Sequence, residues 1–270
     1  MTAFTLKIIA LVAMILDHAA IVFPRHIPLE FRAVGRLAWP IFAYLLAEGF
    51  RHTKDPNKFL LRLGVLALIS QIPYSIAIAW AGQQDWQQGY QGYQYYQGYV
   101  SWVQSISFTF TVNTNIFYTL FLGGAAIVLY ERLNAKGYKS LVYVGAILLA
   151  ALLAELLTAD YGGMGVLFIF TMYIITDRGR RLVAMVAFSL SQFIPLVLLY
   201  FAGNIGDFQL EITQRGTNIM LLMVGFTLFS VMLTAFYNGK RGRDMKWLFY
   251  AAYPVHLVVL AVMVILLNWL

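Results

Sequence analysis

The chain has 270 residues, of which 61% are hydrophobic and only 11% charged, and its mean hydropathy is +0.72. A soluble domain carries roughly 25% charged residues, so the composition excludes an ordinary water-soluble globule. The absence of cysteine removes disulfides, zinc–thiolate sites and a cysteine nucleophile together, and the formal charge of +7 fits a positive-inside bias better than nucleic acid.

The apolar residues fall in about nine runs, near 5–23, 35–50, 59–81, 115–131, 140–157, 163–176, 181–202, 217–237 and 247–268. Long runs without ten-residue alternation predict helices rather than a barrel, because a bilayer requires every backbone group to be satisfied internally. The expected fold is therefore all-α: one polytopic transmembrane bundle of about nine spans over 1–270, in a multi-pass inner or plasma membrane location. The second and sixth runs are short for a full crossing and suit tilted, broken or re-entrant segments. Basic residues set the orientation. Lys7, Arg51, Lys54, Lys58, Arg62, Arg132, Lys136, Lys139, Arg178, Arg180, Arg181, Lys240, Arg241, Arg243 and Lys246 share one side, and only Arg25, Arg32, Arg36 and Arg215 fall on the other. This predicts a cytoplasmic N-terminus and an external C-terminus. Asp17 and His18 interrupt the first run and no small-x-small cleavage site follows, so it reads as a permanent helix rather than a signal peptide. Residues 82–112 differ in kind, being rich in Gln, Tyr and Gly with one charge, Asp85. They read as an external loop without a core of its own.

Ionisable groups inside spans are costly and are functional candidates by default. In the predicted topology Asp17, His18, Arg36, Asn113, Asn115, Glu155 and Asp160 converge at similar external depth. Asp17 with Arg36 equally suits a structural ion pair between helices. Asp17 and His18 leave their helix about 100° apart, so neither orients the other, and a basic His18 needs a different residue to hold it. In the last run Trp247, Tyr250, Tyr253 and His256 form a stripe at steps of three. Pro254 there frees the carbonyl of Tyr250, to which a structural His256 would bond. At the cytoplasmic end of the second run, Glu48 lies within reach of Arg51 and His52. With Lys54, Lys58 and Arg62, this group reads either as a solvated basic helix end or as a site for a phosphorylated cofactor. No P-loop, H-E-x-x-H or G-x-S-x-G occurs, and four scattered histidines give no support to a metal.

Several stretches together resemble the TraX family of membrane proteins: LKIIALVAMILDHAA at 6–20, GRLAWPIFAYLLAEGFRHT at 35–53, LRLGVLALISQIPY at 61–74, NIFYTLFLG at 115–123, TADYGGMGVL at 158–167 and KWLFYAAYPVHL at 246–257. The family is named for a protein that acetylates the pilin N-terminus and is similar more broadly to integral-membrane acyltransferases of surface glycans. The resemblance implies acetyl transfer from acetyl-CoA to an extracytoplasmic amine or hydroxyl in the envelope. It places motif positions on Asp17, His18, Gly35, Arg36, Glu48, His52, Asn115, Asp160, Tyr253 and His256. The candidate catalytic residues are thus His18, Asp17 and His256, with either imidazole acting as base or carrying the acetyl group. The candidate binding residues are Arg36, Glu48, Arg51, His52, Arg62, Asn115, Asp160 and Tyr253. A proton-coupled transporter, which would be expected to show inverted repeats, and a structural or assembly subunit are the competing functional readings.

Overall fold

The computed structural model describes residues 1–23, 26–28, 30–80, 114–191, 193–194 and 214–268. The loop expectation for 82–112, the placements of Arg25 and Asn113, and the end of the seventh run at 195–202 lie outside the described residues. Ten α-helices occur among the described residues: α1 (Ala3–Val22), α2 (Phe31–Gly35), α3 (Ala38–His52), α4 (Pro56–Tyr74), α5 (Ile116–Ala135), α6 (Ser140–Leu156), α7 (Gly162–Ile174), α8 (Arg178–Ser191), α9 (Gln214–Ala235) and α10 (Lys246–Asn268). Each of the nine apolar runs coincides with one of them. The unexpected element is α2, a single short turn that delivers two arginines to the side of α1.

Among the described residues four helices are long and apolar enough to cross a membrane: α1, α4 continuing to Ile78, α5 and α10. Shorter apolar helices accompany them, α6, α7 and the Leu221–Ala235 part of α9. Their outward faces are apolar. Leu61, Leu68, Ile69 and Ile72 of α4, Leu141, Leu148 and Leu152 of α6, and Val255, Val258 and Val262 of α10 are all exposed. In water such continuous stripes would aggregate; a bilayer is the solvent that suits them. The chain is a membrane protein built of helices.

Local chemistry explains the boundaries. Asp55 accepts a bond from the Lys58 amide at 3.0 Å and Pro56 opens α4, so that helix begins ahead of its apolar run. Pro73 lies inside α4, and the chain continues past it as a π-helical turn, Ser75–Trp80. Asn115 caps α5, its Oδ1 accepting from the Phe117 amide at 3.0 Å.

The hub is α5, which packs on α3, α4, α6 and α7. Two adjacent glycines bring its neighbours close. A Cβ on Gly123 would lie 2.6 Å from Ile169 of α7, and one on Gly124 would lie 2.7 Å from Phe50 of α3. Small residues at helix contacts are how membrane helices gain van der Waals packing, since lipid supplies no hydrophobic drive between them. Through this packing α3 and α7, the helices of the short second and sixth runs, lie side by side. Polar clusters sit at their opposite ends.

Candidate functional site

At one end, α1, α2, α3, α5, α10 and the turn between α6 and α7 converge on two buried histidines. His18 of α1 is 7% exposed and His256 of α10 is 8% exposed. His18 Nδ1 and His256 Nε2 lie 2.8 Å apart. The ring planes are 16° from parallel with centroids 5.0 Å apart, as a bond made in the ring plane requires. His256 Nδ1 lies 2.9 Å from the carbonyl oxygen of Ala252. A carbonyl only accepts, so His256 Nδ1 carries the hydrogen, and neutral His256 then offers a lone pair at Nε2. His18 Nδ1 must donate to that lone pair. The tautomer of His18 is thereby set, with its own lone pair on Nε2. The partner that His18 needs as a base is His256, not Asp17. The freed-carbonyl expectation is corrected as well: His256 bonds Ala252, one turn back on its own helix, rather than Tyr250.

Tyr253 packs its ring edge-on against both imidazoles, at 5.2 Å from His256 and 6.2 Å from His18. It is 3% exposed. Tyr253 therefore fixes the orientation of the pair.

Asp17 faces away from the imidazoles, as their angular separation on α1 demands. Its Oδ1 accepts from Arg32 Nε at 3.1 Å, and its Oδ2 lies 3.7 Å from Arg36 Nη2. The expected Asp17–Arg36 contact is present, but the shorter bond belongs to Arg32, 7% exposed, which was counted in the sequence only as a charge. The spacing of Arg32 and Arg36, one helical turn, carries the signal that both face α1. Gly35 makes the approach possible, since a Cβ there would fall 2.4 Å from Asp17 Cβ.

A small cleft of about 20 Å³ opens beside this group, lined by His18, Asp17, Gly35, Trp39, Asp160 and Tyr161 among others. That is room for about one water molecule. Its wall is a stacked pair, Trp39 on Tyr161, with centroids 4.0 Å apart and planes 9° from parallel. Asp160 stands at the accessible rim. Of the residues expected to converge, Asp17, His18, Arg36 and Asp160 do come together. Asn115 is wholly buried, and its side-chain nitrogen donates to the Ala67 carbonyl at 2.8 Å and to Gln71 at 3.0 Å, so it ties α5 to α4 rather than facing the cleft. Glu155, in the last turn of α6, is likewise engaged elsewhere, accepting from the Gly163 amide in the first turn of α7 at 2.7 Å.

The basic end of the bundle is built differently. Glu48 of α3 accepts at Oε1 from Arg51 Nη1 at 2.9 Å and from Arg181 Nη1 at 2.6 Å. His52 Nε2 lies 3.6 Å from Glu48 Oε2 with its side chain 74% exposed. Arg51 Nη2 also donates to the carbonyls of Met172 at 3.1 Å, Tyr173 and Ile175 at 2.7 Å. It thus satisfies the orphan carbonyls at the end of α7. Arg62 stands apart on α4, exposed, with Nη1 3.4 Å from the Tyr250 hydroxyl. A larger cavity, about 260 Å³, lies against Tyr44, Glu48, Arg178, Arg181, Tyr237 and Asn238. Among the described residues no cluster of His, Asp and Glu has a spacing that would hold a metal ion.

A protein-family model described as TraX protein matches residues 3–91 and 93–264. The chain is also 29% identical over 266 residues to a protein of Dichelobacter nodosus named probable fimbrial assembly protein FimC, serogroup H1. That match covers 96% of this chain and 94% of the relative. No solved structure matches the chain.

Proposed function

The chain belongs to the TraX family, and from that premise we propose that it is an integral membrane acyltransferase. In this reading it moves acetyl from cytoplasmic acetyl-CoA to an amine or hydroxyl of an extracytoplasmic acceptor. The observation that carries the reading is the relay from the Ala252 carbonyl through His256 to His18. A structural histidine pair has no need of a fixed tautomer with a lone pair beside a cleft, whereas a general base does. The topology that goes with this is nine crossings with the N-terminus in the cytoplasm, which puts the histidine end outside and the basic end inside. The name of the relative, a fimbrial assembly protein, supports an acceptor in the cell envelope.

The chemistry then runs as follows. His18 Nε2 takes the proton of the acceptor amine or hydroxyl as that group attacks the acetyl carbonyl. The thioester C–S bond breaks, and the departing thiolate recovers the proton from His18. As a proton enters at Nε2, the His18 Nδ1–H bond to His256 shortens and spreads the positive charge toward the Ala252 carbonyl, so both histidines serve one proton transfer. Arg32 and Arg36 hold Asp17 fixed and leave the loop carrying Asp160 and Tyr161 to admit the acceptor. The cleft has to widen by separation of Trp39 from Tyr161 before an acyl group fits, because a water-sized space excludes it.

The test is incubation of the purified full chain with radiolabelled acetyl-CoA and envelope material. Cofactor hydrolysis or label on an acceptor is expected for wild type, and neither for His18→Gln. No acetyl turnover by a folded wild-type protein, across envelope fractions, sinks the reading.

A further inference from the structure

The cavity at the basic end has a composition that the histidine chemistry does not use. We propose that it is a phosphate-ester site in which Arg178 and Arg181 grip the anion. The identification of that ester with the acyl donor rests on the acyltransferase reading; the site itself does not.

Three observations point there. The first is charge. Arg51 and Arg181 share one carboxylate, Glu48, and Arg178, which also donates to the Ala235 carbonyl, lines the same cavity, so among the described residues positive charge exceeds negative there. Asp177, the next acidic group along the chain, is turned to cap α8 and accepts the Arg180 amide at 2.8 Å. The second is an unspent donor. Arg181 is 7% exposed, lines the cavity, and its Nε has no hydrogen-bond partner. A buried guanidinium nitrogen left unpaired carries a desolvation penalty, which an anion at that position would remove. The third is that the cavity walls are built. Arg181 lies over the Tyr44 ring at 5.0 Å, a stack that keeps the planar guanidinium in one orientation. Asn238 Oδ1 accepts from the Lys240 amide at 3.1 Å, which leaves its side-chain NH₂ as a donor. The 238–241 segment is itself clamped, with the Asn238 amide on Met1 O at 2.9 Å and the Lys240 carbonyl on Ala3 N at 2.9 Å.

Guanidinium forks recognise the oxygens of a phosphate by paired N–H bonds. The volume suits a phosphate or diphosphate group with part of its substituent. Arg51 is not a member of the site, because its guanidinium is committed to Glu48 and to the end of α7. The ester could belong to a soluble nucleotide-like donor or to an anionic lipid headgroup, and two arms of one experiment separate them.

The full chain is reconstituted in phosphatidylcholine nanodiscs and titrated calorimetrically with adenosine 3′,5′-bisphosphate and, separately, inorganic pyrophosphate. Saturable binding is expected. Arg178→Gln, at an exposed position, should weaken it about tenfold or more, with partial recovery in Arg178→Lys and no change in Lys136→Gln. In the second arm, nanodiscs containing phosphatidylglycerol are compared by thermal midpoint. A rise that Arg178→Gln abolishes, with no binding of the soluble esters, assigns the site to a lipid headgroup and still supports it. Absence of both effects, or equal binding in wild type and Arg178→Gln, overturns the proposal. Should the wild type bind pyrophosphate yet never transfer acetyl, the site stands and the acyltransferase reading falls. Should it transfer acetyl with the same donor KM in Arg178→Gln, bind neither ester and show no phosphatidylglycerol-dependent rise, the reading stands and this site falls.

Discussion

The two ends of α3 make opposite uses of buried polarity. At the histidine end the imidazole nitrogens that meet each other and the Ala252 carbonyl form one directional chain, and the free space beside it is about 20 Å³. At the basic end several guanidiniums crowd one carboxylate, and the space is about 260 Å³. Directional hydrogen bonds in a tight cleft fix protons, which suits a chemical step. Surplus charge around an open cavity attracts a ligand without specifying a proton, which suits binding. A single family of polar residues therefore divides into two tasks by packing alone.

Substitutions at the two ends test the division, and the sharpest concerns the proton. His18→Gln should insert and fold normally while lowering acetyl transfer by about two to four powers of ten, the usual worth of a general base. His256→Gln should lose less, because water or the glutamine amide can still meet His18 Nδ1. Equal kcat values in His18→Gln and wild type, or a larger loss in His256→Gln than in His18→Gln, would break the assignment.

Next in size is Asp17→Ala. It leaves Arg32 and Arg36 without their carboxylate in a largely buried position, and removal of one partner of a buried pair costs about 3–5 kcal/mol. The expected readout is a fall in detergent-extracted folded yield together with activity. Normal yield with lost activity would instead mark Asp17 as a participant in the reaction. Gly35→Ala sharpens the same point through sterics: its Cβ would lie 2.4 Å from Asp17 Cβ, and overpacking of this kind costs about 1–3 kcal/mol. A lowered thermal midpoint and weakened transfer are expected, since α2 must move off α1. An unchanged midpoint would show that the helices separate freely there. The smallest effect belongs to Arg62→Gln. Its side chain is exposed and meets the Tyr250 hydroxyl at a long 3.4 Å, so the stability of the variant should change by no more than about 0.5 kcal/mol. A larger drop in thermal midpoint would reveal a structural role that this weak contact does not explain.

Much of this was legible in the chain. Long apolar runs gave the helices, because a bilayer leaves the backbone no other solution. The gathering of Asp17, His18, Arg36 and Asp160 followed from counting residues along alternating spans. Pairings between helices were not legible, because rotation about a helix axis does not follow from depth along it. His18 and His256 therefore looked like rivals, separated by 238 positions, when they share a hydrogen bond. Arg181 reads as a cytoplasmic charge because it stands with Arg178 and Arg180 at the start of its run and nothing local distinguishes the buried one. Its partner Glu48 lies 133 positions away. The hydrogen bonds of Arg51 are not legible in the sequence for a different reason. A guanidinium near a helix end can serve a ligand or the carbonyls of a neighbouring helix, and only the position of α7 decides between them. The short helix α2 went unseen because five residues carry too little periodicity to register.

The shortness of α3 and α7 has an electrical consequence. With 15 and 13 residues they measure about 22 and 20 Å, against about 30 Å of hydrocarbon in an ordinary bilayer. Trp39 in the cleft and Glu48 at the opposite cluster are separated by about 14 Å along α3. Under the proposed topology the insulating layer is therefore locally thin, and most of any membrane voltage falls across that short stretch. An elementary charge carried through it would exchange about 2.3 kcal/mol with the potential per 100 mV, whereas a neutral acyl arm would exchange nothing. Under the proposed reaction the phosphates remain on the cytoplasmic side of this layer and only an uncharged group traverses it, so acetyl transfer in proteoliposomes should run at the same rate whether the membrane is energised or not.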